Sequence, residues 1–90
     1  MQPEEVFRNA NERVAEKARE LELLPPIPFL CECSDRRCFA HIQLSLVEYD
    51  EVRSRPDTYL IVPGHEVSGA FLIEQDERFT LVEKLYARLR

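Results

Sequence analysis

The residues in this chain best suited to chemistry are three cysteines packed into one short run, Cys31-Glu32-Cys33-Ser34-Asp35-Arg36-Arg37-Cys38, with no other cysteine elsewhere. A histidine follows at a sharp turn signal, Pro63-Gly64-His65-Glu66. Three thiolates and one imidazole are the right number and type of donors for a tetrahedral zinc site, and four protein ligands make such a site closed and structural. Cys31, Cys33 and Cys38 come from one local unit, whereas His65 comes from a distant loop, so one ion would pin two segments far apart in sequence. His41, three residues after Cys38, competes with His65 for the fourth position. The bend at Pro63-Gly64 is better suited to aiming a ligand inward, so His65 is the expected ligand.

Other readings of the cysteines stand beside this one. They could be ordinary buried thiols, a redox-active set, or ligands of an iron–sulfur cluster. Positive neighbours lower a thiol pKa, and Arg36 and Arg37 stand inside the cysteine loop, so a switch driven by oxidation is the main alternative. The bland reading of the two arginines is that they are solvated turn residues or offset the negative charge of a Cys3His–zinc centre. Enzymatic readings find little support. Glu66 beside a metal-bound histidine suggests metal-assisted hydrolysis, but four protein ligands leave no open position for water. With only two glycines the chain has no phosphate-binding loop, and no nucleophile elbow is present. The chain is expected not to be an enzyme.

Size gives the cysteines a reason to exist. Ninety residues make one small domain, and domains near this limit often add a metal, a disulfide or a partner. The net charge of −5 disfavours nucleic-acid binding, which depends on phosphate neutralisation. A local basic patch of Arg36, Arg37, Arg53 and Arg55 is the feature that would reverse this expectation. No apolar run is long enough to span a membrane, and the start, Met1-Gln2-Pro3-Glu4-Glu5, lacks a signal-peptide pattern. A cytoplasmic protein is expected, and in a reducing compartment an odd number of clustered cysteines favours metal over disulfides.

The elements that must position these ligands are legible as α+β. Residues 1–24 read as a long helix. Pro3 suits its first turn, Glu4 and Glu5 complement its positive end, and its apolar stripe is Val6, Phe7, Ala10, Val14, Ala18, Leu21 and Leu24. Phe7, Val14 and Leu21, with Ala10, Lys17 and Leu24, also form a short coiled-coil-like seam flawed by Lys17. Residues 25–28, Pro25-Pro26-Ile27-Pro28, read as a stiff connector. Residues 29–90 read as a small zinc-stabilised domain holding an antiparallel sheet of three to five strands and one short helix. The strands are expected over 29–33, 38–44, 58–62, 69–74 and 79–84. Ala40, Ile42 and Leu44 share one face, and Gln75-Asp76-Glu77-Arg78 forms a hairpin turn. Ser45-Leu46-Val47-Glu48 is a capping box that opens a helix over 46–53, with Tyr49 and Val52 facing the core. Residues 85–90 are expected to form a frayed helical tail.

Taken together, Asn11-Glu12-Arg13-Val14-Ala15-Glu16, the Phe29–Asp35 run with Cys38, Leu46–Arg53, Val62-Pro63-Gly64-His65-Glu66 and Leu81-Val82-Glu83-Lys84 resemble a family of small uncharacterised actinobacterial proteins. The resemblance spans most of the chain, in the same segment order. It implies that the cysteine run and the Pro-Gly-His-Glu tetrapeptide are parts of one metal site, held by Cys31, Cys33, Cys38 and His65. It carries no activity. The functional expectation is a zinc-binding protein-interaction or regulatory module that pairs with a protein partner or with itself through the N-terminal helix. A thiol or metal-based redox sensor is the alternative, and a nucleic-acid accessory protein a more distant one.

Overall fold

The computed structural model describes residues 2–84; the tail expected over 85–90 lies outside the described residues. The elements run α1 (Pro3–Glu20), β1 (Ile27–Leu30), β2 (His41–Leu44), α2 (Leu46–Arg53), β3 (Thr58–Ile61), β4 (Ala70–Gln75) and β5 (Thr80–Lys84). This is the expected α+β arrangement of one long helix, one short helix and antiparallel strands, but the strands form two sheets rather than one. β1 and β2 pair as a hairpin, Ile27 opposite Leu44 and Leu30 opposite His41. The second sheet has the order β3-β5-β4, with a register shift between Leu72 and Glu74.

α1 ends a turn earlier than the prolines alone imply. Pro25 bars its predecessor from helical angles, so the chain must leave the helix and reverse before β1. It does so through Glu22, which adopts a left-handed φ of 51°. The Leu23 amide donates to the Ala18 carbonyl at 2.9 Å and the Glu22 amide to Arg19 at 3.2 Å, a Schellman closure. Leu21 and Leu24 therefore lie beyond the helix and are 62% and 86% exposed, so the expected seam is not continuous on one helix. The helix is also rotated from the expected stripe. It packs mainly on β1, α2 and β3, and its buried residues are Glu4, Asn11, Ala15 and Ala18. Two of these are polar, and the network described below supplies their partners.

Ala15, Ala18, Ile27, Phe29, Ile42, Leu44, Tyr49, Val52, Leu60, Phe79 and Leu81 form the main core. Phe29 and Tyr49 stack at 4.3 Å between centroids with rings nearly parallel. On β2, Ile42 and Leu44 point inward while His41 and Gln43 face out, as period-2 alternation requires. The capping box forms with both arms: the Glu48 amide donates to Ser45 Oγ at 3.1 Å, and the Ser45 amide to Glu48 Oε1 at 2.9 Å. No helix among the described residues is long and apolar enough to cross a membrane.

Candidate metal centre

The cysteines occupy the loop of the β1–β2 hairpin. The strands are shorter than expected, so Cys31 lies just past β1 and Cys38 well short of β2. The Cys31 amide still donates to the Ala40 carbonyl at 3.0 Å, which keeps the loop mouth narrow. Asp35 shapes the tip: its side chain accepts from the Arg37 amide at 2.9 Å, and its carbonyl accepts from the Cys38 amide at 3.0 Å. This local turn, common for Asp, brings Cys38 back toward Cys31 and Cys33.

His65 arrives from the turn after β3. The His65 amide donates to the Val62 carbonyl at 3.0 Å, and Gly64 has φ of 91°. Proline then glycine at the two central positions, with positive φ at the second, is the pattern of a type II turn. A side chain at position 64 would be strained there, which is why glycine precedes the ligand. The Ser34 amide donates to the Glu66 carbonyl at 2.9 Å and stitches the histidine turn to the cysteine loop.

The result is a compact cluster. One donor atom from each of Cys31, Cys33, Cys38 and His65 lies within 4.8 Å of all the others. His65 Nδ1 is 3.4 Å from Cys31 Sγ and 3.6 Å from Cys38 Sγ. Zn–S and Zn–N bonds of about 2.3 and 2.0 Å give a tetrahedron S···N edges of about 3.5 Å and S···S edges of about 3.8 Å. The cluster is therefore close to the size of such a polyhedron. His41 sits on the outward face of β2 and is not part of this group.

The site is asymmetric. Cys31 and Cys33 are each 1% exposed and pack with Tyr59, Ile61, Val67 and Val82, whereas Cys38 is partly exposed and His65 exposed. The Val62 amide donates to Cys31 Sγ at 3.2 Å. Burial pushes the Cys31 and Cys33 thiols above their ordinary range, despite that amide at Cys31 and the Asp35 backbone beside Cys33. Arg36 and Arg37 are both exposed, and burial decides the direction at these two sulfurs. A cation held by these donors would supply the compensating charge that burial otherwise denies to thiolates. An open cleft of about 430 Å³, bordered by Cys33, Ser34, Gly64, His65 and Glu66, lies alongside.

Beneath the cluster lies a polar network not anticipated from sequence. Glu32 sits between two cysteines, so its side chain points away from the sulfurs and into the core, where it is 0% exposed. It accepts from Asn11 Nδ2 at 2.6 Å, Arg53 Nη2 at 2.5 Å and the Leu60 amide at 2.9 Å. Its own amide donates to the Leu60 carbonyl at 2.7 Å, tying the cysteine loop to β3. Asn11 also grips the β1 end through both backbone groups of Leu30, at 2.9 and 2.8 Å. Burial pushes the Glu32 carboxyl up against the opposing pull of Arg53. Arg53 also reaches Tyr49 Oη and the Thr58 carbonyl. It is therefore part of the interior and is not available to a basic surface patch with Arg36, Arg37 and Arg55. A second buried pair, Lys84 Nζ to Glu4 Oε2 at 2.6 Å, anchors the start of α1. Ser34 Oγ donates to Glu4 at 3.2 Å and accepts from the Ser68 amide at 2.8 Å. The one available sequence signal was Glu4, Asn11 and Ala18 at sevenfold spacing, with a poor helix former at the centre.

Comparison with protein-family models, with curated proteins and with solved structures gives no match.

Proposed function

We propose that this chain is a small, non-enzymatic zinc-binding protein, in which the ion closes the fold and the folded surface serves as a protein-interaction or regulatory module. The observation that carries the reading is the convergence of Cys31, Cys33, Cys38 and His65 within 4.8 Å from two loops of different sheets. Softness of the donors favours zinc among common ions, since thiolate and imidazole suit it while harder cations prefer oxygen. Four protein donors fill a tetrahedron, which favours a structural role over a catalytic one. Kinship with the small actinobacterial proteins belongs to the same proposal and rests on the sequence resemblance alone. A cytoplasmic location accords with unpaired cysteines. The exposed apolar residues Leu21, Leu23 and Leu24 are the part of the α1 end left available for a partner.

The test is elemental mass spectrometry of purified protein, with thermal unfolding before and after chelation. One zinc per chain, lost together with the fold in a Cys31→Ser variant, is the expected result. Full stability without any metal would overturn the proposal. A second reading, a thiol-based sensor, is favoured by the exposure of Cys38 and His65 at one edge of the cluster.

A further inference from the structure

The four donors are not equivalent in their surroundings. Cys31 is 1% exposed, faces β3 and receives the Val62 amide at 3.2 Å. An N–H directed at a metal-bound sulfur draws electron density from it and blunts its attack on electrophiles. Cys33 is also 1% exposed, with its sulfur 3.8 Å from the Asp35 carbonyl. Cys38 is the partly exposed one of the three. Its sulfur meets His65 Nδ1 at 3.6 Å, and that histidine is itself exposed. Arg37 and Phe39, the chain neighbours of Cys38, are exposed as well, so the outer edge of the cluster faces solvent on its backbone side too.

We infer that Cys38 is the modification site of this centre: the sulfur that hydroperoxides and soft electrophiles reach first, with Cys33 closing a disulfide onto it as the metal leaves. The inference rests on the metal-centre reading above. Cys33 is the better partner because it shares the short Ser34–Arg37 turn with Cys38, and that turn can close without moving a strand. Cys31 is held by the amide of Val62, just after β3, and by the carbonyl of Ala40, just before β2. The chemistry balances with hydrogen peroxide as oxidant. The Cys38 sulfur attacks one peroxide oxygen, an S–O bond forms, the O–O bond breaks, and hydroxide leaves to be protonated by solvent. The Cys33 thiolate then attacks the Cys38 sulfur, the S–S bond forms, the S–O bond breaks, and a second hydroxide leaves and is protonated. Two thiolates lose two electrons, one peroxide becomes two waters, and the zinc ion is released with two of its four donors gone.

The experiment uses the full chain, loaded with one zinc as verified by elemental analysis. It is treated with substoichiometric N-ethylmaleimide and mapped by peptide mass spectrometry. In parallel it is treated with hydrogen peroxide, with released zinc followed by a chromogenic chelator and disulfides mapped without reduction. Cys38 is expected to be alkylated at least about tenfold ahead of Cys31 and Cys33, and peroxide to release zinc in step with a Cys33–Cys38 disulfide. Uniform labelling, first labelling at Cys31 or Cys33, or zinc retained through peroxide treatment would overturn the inference and leave the zinc reading standing. A chain that takes up no zinc would overturn both. The wild-type chain suffices, so no variant has to fold.

Discussion

Replacing Arg53 by methionine should remove a large part of this domain's stability. Arg53 is 11% exposed in its side chain, and its partner Glu32 is 0% exposed, with the ion pair at 2.5 Å. Breaking a buried pair from one side strands a charge and costs about 3–5 kcal/mol. A small domain has only about 5–15 kcal/mol in total, so the variant should unfold at much lower denaturant. Adding Glu32→Gln removes the stranded charge. The amide can still accept from only one of Asn11 and the Leu60 amide, so one donor stays unsatisfied at about 1–3 kcal/mol. The double variant should therefore be more stable than Arg53→Met alone, a rescue by a second core substitution. The pH dependence follows from the direction of the Glu32 shift. Burial already raises its carboxyl, and without Arg53 nothing of like strength opposes this. A carboxyl raised in the folded state costs little below its unfolded value and more as pH rises past it. The deficit of Arg53→Met relative to wild type should thus be larger at neutral than at mildly acid pH. Equilibrium urea unfolding of the zinc-loaded single and double variants measures all three quantities. A single-variant loss below about 1 kcal/mol, or a double variant less stable than the single, would refute the reasoning.

Three further outcomes are expected. Ser45→Ala should cost about 1 kcal/mol, measured by thermal unfolding, because it removes the hydroxyl that accepts from the Glu48 amide and leaves only the backbone arm of the capping box. Glu48 is held at about 2, first by its hydrogen bonds to Arg78 and then by the Ser45 amide. A depressed carboxyl stabilises the fold above its unfolded value near 4.5 and loses that contribution as pH falls toward 2. The melting difference between wild type and Glu48→Gln should therefore be fully present near neutrality and shrink in acid. With 38% of the Glu48 side chain exposed, its size should stay below about 1 kcal/mol. Asn11→Ala should cost more than an exposed helix substitution such as Glu16→Ala, by about 2–3 kcal/mol in urea unfolding, since it orphans both Leu30 backbone groups and one Glu32 contact.

Local chemistry was enough to read several parts of this protein from sequence. The capping box at Ser45, the inward faces of β2 and α2, and the turn at Pro63-Gly64 all follow from residues a few positions apart, which is the range over which capping, alternation and backbone restriction act. The four candidate donors could be named because thiolates and imidazole are rare and chemically distinctive, and the structure brings those four together. The elements that misled were those whose geometry depends on distant partners. The α1 stripe counted apolar residues, but the buried face turns to Glu4 and Asn11 because Lys84, Ser34, Leu30 and Glu32 satisfy them there. The end of α1 was placed at the prolines, whereas the reversal into β1 closes a turn earlier at Glu22. Arg53 read as surface because nothing local shows that a carboxylate lies beneath the cysteine loop. Sequence by itself determined which residues could bind a metal and where the chain must bend. Only the tertiary structure decided which polar groups could be buried, because that depends on partners that folding alone brings within hydrogen-bond distance.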